Sequence, residues 1–404
     1  MATYKAFSSF GIELEYMVVS KDSLDIQPIV DQFFLDFSKS DNNVIKRGAV
    51  DWSNELVNHV LELKNPKPTA DLKKLAEDFS SEIRFINEQL NARGCQLMPS
   101  SMHPWMNPEK ETVLWPRENN EIYSTYDRIF SCRTHGFSNL QCMHINMPFS
   151  TDEEFVRLHS AIRLVLPLIP ALTASSPFKE GQATSAKTQR LLEYLKNQKK
   201  VASIIGKAIP ESVTSIAEYK SKVLEPMYKD IRQLDDSGTL EGEWLNSRAA
   251  IPKFEVGCIE IRIPDISEAP FIDVASAAFI IDVVKDLYDR IQLDSEQLIH
   301  FSTDELRALF EQTIQSGEKA KIDNEAFAKI HGASAGASAK EILQGLLGKL
   351  TKQQPRFYTE TVKKLIELGT LSNRLNQSFE KGQPLKDIYK DLSACLADGR
   401  FYGA

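Results

Sequence analysis

The chain has 404 residues, 42% of them apolar and 26% charged, the balance of an ordinary globular protein with room for one large domain or two moderate ones. Its 48 Lys and Arg against 56 Asp and Glu give a formal charge of −8, which argues against a broad nucleic-acid or anionic-membrane surface, since either needs a concentrated basic face. Five cysteines (Cys95, Cys132, Cys142, Cys258, Cys395), widely spaced and without a C-x-x-C, argue against a disulfide framework or structural zinc and predict a reducing, cytoplasmic compartment.

Met1 to Ser9 has no apolar core of signal-peptide length. Residues 10–20 alternate apolar and polar and then run into Val18-Val19, which is strand chemistry. Residues 68–94 place Leu72, Leu75, Phe79, Ile83, Ile86 and Leu90 at helical spacing, with Gly94 as a stop. Residues 95–104 return to strand or loop, and Leu140 to Phe149 alternates again. Asp152 to Ala174 reads as a helix, with Ser150 or Thr151 as N-cap and acidic residues in the first turn. A loop at 175–181 follows, then a strand over Glu255–Ile263. From about Pro270 the pattern is almost wholly helical, with a small-residue loop at 331–339 leading into a helix. The apolar runs Leu164 to Ala174 and Ala275 to Val284 are too short or too interrupted to span a bilayer and read as buried helices. The expected division is a mixed domain over 1–290 and a helical extension, 291–404, packed on it.

The chemistry lies in the strands. In Phe10-Gly11-Ile12-Glu13-Leu14-Glu15-Tyr16, residues two apart share a face at about 6.5–7 Å, so Glu13 and Glu15 project together, opposite Ile12, Leu14 and Tyr16. Taken alone, the pattern is better described as a solvent-facing strand with two ordinary glutamates. Two carboxylates on a core-side surface instead need a positive partner, and a divalent cation with oxygen ligands supplies one. The pattern recurs at Ile259-Glu260-Ile261-Arg262-Ile263, where Arg262 beside Glu260 suits an anionic group such as a phosphoryl. Cys142-Met143-His144-Ile145-Asn146 sets Cys142, His144 and Asn146 on one face, with His144 a candidate ligand or a plain hydrogen-bonder. Glu55 and Glu62 are seven apart, which breaks strand parity and requires a bulge or bend if both serve one site. An oxygen-rich set favours Mg²⁺ or Mn²⁺ over zinc, and several such ions suit phosphoryl transfer. Neither G-x-x-x-x-G-K-[ST] nor G-x-G-x-x-G follows a strand, so ATP would be held by a sheet and its metals.

In chain order, these segments resemble the glutamate–cysteine ligase and carboxylate–amine ligase group of the glutamine synthetase superfamily. The resemblance runs through Gly11-Ile12-Glu13-Leu14-Glu15, Leu61-Glu62-Leu63-Lys64, Met102-His103-Pro104, Asn139 to Asn146, Ala174 to Gly181 continuing to Arg190, Asn246-Ser247-Arg248 and Glu260-Ile261-Arg262. It spans about residues 10–265. It implies an α+β fold with a curved, mainly antiparallel sheet, helices on its outer face and a helical C-terminal region. Glu13, Glu15, Glu55, Glu62, His144 and Glu260 would be metal ligands. Arg262 would contact phosphate, Arg248 would bind substrate or phosphate, and Arg190 and Asn146 would join Arg262 in binding the nucleotide. The implied reaction uses ATP and Mg²⁺ to phosphorylate a glutamate γ-carboxylate, after which an amine attacks the acyl phosphate. The partners implied are these small molecules, with no nucleic acid and no membrane, and self-association stays open. Two departures leave the acceptor open between cysteine and another amine. His144-Ile145-Asn146 after Gln141-Cys142 replaces the bacterial His-x-His after Cys-Gly, a version resembling the plant-like branch, and Thr184-Ser185 replaces Thr-Gly. A nucleotide-binding scaffold, a guanidino-kinase-like phosphotransferase and a metal-dependent amide hydrolase are the rivals.

Overall fold

The computed structural model describes residues 4–38, 43–293 and 301–403. Eight strands form one sheet: β1 Gly11–Ser20, β2 Val44–Ile45, β3 Asp51–Asn54, β4 Val60–Lys64, β5 Cys95–Met98, β6 Met143–Pro148, β7 Ala250–Lys253 and β8 Cys258–Ile261. Their order is β2-β3-β4-β1-β6-β8-β7, and every pairing is antiparallel. With ten residues, β1 is long enough to pair with β4, β5 and β6. The architecture is the expected α+β arrangement of an antiparallel sheet with helices.

Strand parity divides the sheet cleanly. Ile12, Leu14, Tyr16 and Val18 of β1 point to the same side as Trp52, Leu63, Ile145 and Ile259, and all are buried in the main core. Helix α1, Leu72–Asn91, covers this side with its predicted apolar stripe. Asp71 caps it by accepting from Lys74 N, so the helix starts later than Pro68. Phe79, Ile83 and Ile86 are fully enclosed, each contributing on the order of 2 kcal/mol through burial. Helix α2, Asp152–Val165, is capped by Thr151, whose hydroxyl accepts from Glu154 N. It continues through the 3₁₀ turn Leu166–Leu168 into Ile169–Thr173, because Pro167 and Pro170 cannot donate to an α ladder. This stretch, Asp152–Thr173, is apolar and long enough to cross a bilayer by composition alone, but 89% of its apolar 18-residue part is buried inside the protein. Helix α3, Pro270–Leu293, packs against both α1 and α2, and the expected boundary at 290 falls inside it.

Beyond residue 301 the helices Thr303–Ser316, Ala339–Gln353 and Thr359–Leu368 add Leu309, Leu346 and Leu365 to the main core. The 331–339 segment ends in the short strand Ala337–Ser338, paired with Lys321–Ile322, before Ser338 caps the next helix. The last two helices, α4 Leu371–Glu380 and α5 Leu385–Asp398, build a second core. There Leu371, Leu375, Ile388, Tyr389 and Leu392 meet Met17 and Val19 of β1 and Met98 of β5. A buried ion pair ties this region to the rest. Arg374 Nη1 bonds Glu268 Oε1 at 2.5 Å and Tyr402 O at 2.8 Å, while Tyr402 N donates to the same Glu268 oxygen.

Candidate functional site

The sheet face opposite the main core carries the charge. Register places Glu13 between Lys64 of β4 and His144 of β6, Glu15 opposite Glu62, and Glu260 opposite Asn146. Ser53 of β3 lies opposite Glu62, and Lys253 of β7 opposite Cys258. Gly11 faces Asn146, and a Cβ there would sit 3.2 Å from the asparagine's own Cβ, so the glycine lets these two strands close up.

The contacts form one network. His144 Nδ1 lies 2.8 Å from Glu13 Oε2, and its Nε2 lies 3.6 Å from Glu15 Oε1. Asn146 Nδ2 donates to Glu13 Oε1 at 2.9 Å. Glu62 accepts from Ser53 Oγ and pairs with Lys64 Nζ at 2.9 Å. Glu260 pairs with Lys253 Nζ and lies 3.1 Å from Arg262 Nε. Arg262 Nη1 also donates to Asn246 O at 3.2 Å. One oxygen or nitrogen each from Glu13, His144 and Glu260 lie within 4.8 Å of one another, the spacing of groups that can share a cation.

The electrostatics show an excess of negative charge. Burial raises the Glu55 carboxyl well above the usual range, and the Glu15 and Glu62 charges raise it further. Burial and Glu13 push Glu62 up to about 7 despite Lys64. For Glu13, burial is outweighed by the hydrogen bond and charge of His144, which hold it well below its ordinary value. His144 is raised well above its ordinary value: burial opposes this, but Cys142, Glu260 and Glu13 prevail. Five carboxyl groups therefore crowd around Lys64, Lys253, Arg262 and His144, and the raised Glu55 and Glu62 show that these cations do not offset all five carboxylates at once. That crowding and the oxygen-rich donor set fit a divalent cation.

The structure thus brings Glu13, Glu15, Glu55, Glu62, His144, Glu260, Asn146 and Arg262 together. The bend that their spacing requires is present: a bend and a turn at 56–59 separate Glu55, which follows the end of β3, from Glu62 in β4, and the two strands pair as neighbours. Arg248 has a different setting from the one expected. Its Nε and Nη2 fork onto Glu211 at 2.6 and 2.7 Å, and its Nη1 bonds Ser203 O, Ile204 O and Asn246 Oδ1. With every nitrogen engaged, it braces the Asn246 segment rather than offering a free fork to substrate. Arg190 is 1% exposed, bonding Asp265 Oδ1 at 2.6 Å and Ile263 O at 2.5 Å, and so anchors the exit of β8. Trp115 is a core residue and Trp105 bonds Asp25, whereas Trp244 is 40% exposed beside Tyr126. Sequence reasoning missed Lys253, Ser53 and any role for Lys64. Parity along Glu62-Leu63-Lys64 carried the signal for Lys64, but the short strand β7 gave none for Lys253.

A family model described as glutamate-cysteine ligase family 2 matches residues 9–390. The chain belongs to this family. The match takes in α4 and the first turns of α5, so glutamate–cysteine ligase family 2 extends into the helices in which sequence reasoning found no resemblance. A relative of unassigned function from Archaeoglobus fulgidus is 30% identical over 97% of this chain and 99% of its own length. A protein of Bradyrhizobium diazoefficiens, provisionally named glutamate–cysteine ligase 2, is 24% identical over 70% of this chain and 61% of its own length. Among solved structures, glutamate–cysteine ligase from Francisella tularensis in complex with AMP aligns with all of this chain and 91% of its own, at a TM-score of 0.68 and 14% identity. A bifunctional glutathione synthetase from Pasteurella multocida aligns at a TM-score of 0.65 and 14% identity, over 97% of this chain and 52% of its own. At these identities the likeness is one of fold.

Proposed function

We propose that this member of the glutamate–cysteine ligase family 2 uses ATP and Mg²⁺ (or Mn²⁺) to join a carboxylate, the γ-carboxylate of glutamate, to an amine through an acyl phosphate. The amine is cysteine or another amino acid or amine. The observation that carries the reading is the single charged sheet face, where five carboxylates and His144 converge beside Arg262 and Lys253.

Glu13, Glu15, Glu55, Glu62, Glu260 and His144 would hold the metal. Bound there, an ion would supply positive charge to offset the negative phosphate oxygens. Asn146 and His144 orient Glu13, and Ser53 orients Glu62. Arg262, held by Glu260 and by Asn246 O, keeps Nη2 for the transferred phosphoryl group. Transfer makes the carboxylate oxygen part of a good leaving group, so the amine can displace phosphate. Lys253 sits at the rim of the same face and adds positive charge for the polyanion.

The test is phosphate release from Mg²⁺-ATP with glutamate and, one at a time, each amino acid and common amine. Release stimulated by glutamate plus one acceptor, with a new amide product, is expected. No release with any pair, from folded protein that still binds nucleotide, would leave a nucleotide-binding scaffold. Transfer of phosphate without amide formation would make it a phosphotransferase.

A further inference from the structure

Cys142 is a buried thiol at the acidic face for which the ligation chemistry has no use. Its Sγ lies 3.3 Å from His144 Nε2 and 3.3 Å from Glu15 Oε2, and its backbone N–H donates to the same Glu15 oxygen at 2.8 Å. His144 Nε2 in turn lies 3.6 Å from the other oxygen of the same carboxylate, Glu15 Oε1. A tetrahedral ion with bonds of about 2.3 Å to sulfur and about 2.0–2.1 Å to nitrogen and oxygen needs ligand atoms roughly 3.3–3.6 Å apart. The two sulfur separations lie at the lower edge of that window and the nitrogen–oxygen one at its upper edge, and one ligand atom from each of the three residues lies within 4.8 Å of the other two, close enough for small side-chain shifts to seat an ion. His144 turns its other nitrogen, Nδ1, toward Glu13, so its two nitrogens face two different ligand groups.

We infer that Glu15, Cys142 and His144 form a thiolate-containing site for a tetrahedral divalent ion such as Zn²⁺, beside the oxygen-rich position at Glu13 and Glu260. The site offers three protein ligands and leaves the fourth position open. The ion displaces the thiol proton and the proton on His144 Nε2 to solvent and forms one bond each to sulfur, nitrogen and a Glu15 oxygen. Mg²⁺ is a poor occupant, since it demands octahedral oxygen ligands, whereas sulfur and imidazole select softer ions. The same atoms also trace a nucleophile–base–carboxylate line from Cys142 through His144 to Glu13. Against that use, the Glu15 carboxylate 3.3 Å from Sγ opposes a bare thiolate, and a cation between them relieves the conflict. Because the ion takes Glu15 and His144, it competes with the Mg²⁺ chemistry proposed above, so Zn²⁺ would act as an inhibitor of that chemistry.

The test needs neither ATP nor turnover, so its failure is separable from failure of the ligase reading. Co²⁺ added to the full-length, nucleotide-free protein is expected to give a near-ultraviolet thiolate-to-cobalt charge-transfer band. Stoichiometric Zn²⁺ should erase it, and roughly a hundredfold excess of Mg²⁺ should not. Cys142→Ser should lose the band. Cys258→Ser, which alters the other thiol on this face, should keep it. No band in the folded wild-type protein, a band that survives Cys142→Ser or one that Mg²⁺ removes would overturn the proposal. Should Cys142→Ser fail to fold, the wild-type titration with Zn²⁺ and Mg²⁺ and the Cys258→Ser control still decide it.

Discussion

Strand β1 presents two different surfaces on one face. Its first half offers Glu13 and Glu15 to the charged network; its second half offers Met17 and Val19 to the apolar core under α4 and α5. Both halves obey the same two-residue parity, so direction alone does not separate site from core. What separates them is the partner. The first half is flanked by Glu62, Lys64 and His144, and the second by Met98 and the apolar sides of two C-terminal helices. One continuous strand thus anchors the chemistry at one end and the C-terminal region at the other.

That contrast can be broken at either end. The largest expected effect is in the charged half: Glu13→Gln or Glu260→Gln should cut ATP turnover roughly a thousandfold or more, about 4 kcal/mol of transition-state stabilisation, with the circular dichroism spectrum unchanged. Full activity in either variant would place the site elsewhere. Next, Asp265→Ala strands the Arg190 guanidinium in the interior and should cost roughly 3–5 kcal/mol in chemical denaturation. A cost under 1 kcal/mol would mean that Arg190 finds solvent or a ligand instead. In the apolar half, Leu375→Ala should lose about 2–5 kcal/mol of stability while turnover per folded molecule stays within about twofold. Loss of turnover at full stability would erase the distinction between the halves.

The smallest effect is a pH dependence. The Glu62 carboxyl titrates near its ordinary value in the unfolded chain and at about 7 in the folded one. Between those values the folded state holds the extra proton, so stability falls as pH rises through the window and stays lower above it. A divalent cation offsets that charge. Mg²⁺ should therefore raise the melting temperature by a few degrees at pH 8 and by less at pH 5. An equal rise at both would uncouple the cation from these carboxylates.

Much of the sheet was legible because period two is a strong local signal. Glu13 and Glu15, His144 and Asn146, and Glu260 all stand where parity put them. The β3–β4 pair was not legible, since a spacing of seven between Glu55 and Glu62 fits a bent strand as well as two paired ones. Strand β7 was hidden by its four-residue length and by Pro252. The roles of Arg248 and Arg190 depend on Glu211, 37 positions away, and Asp265, 75 positions away, and no local pattern announces such pairs. The amphipathic C-terminal helices showed that they would be buried, but not that Met17 and Val19 would receive them.

The pairing of Glu15 with Glu62 and of Glu13 with His144 also bears on how the chain avoids misfolding. A slip of one residue in β1 would drive two carboxylates in among Trp52, Leu63 and Ile145 and turn Ile12 and Leu14 outward. Each misplaced carboxylate would face desolvation with no cation in reach. The acidic face therefore acts as a proofreader of strand alignment, rejecting every odd-numbered shift before any substrate arrives.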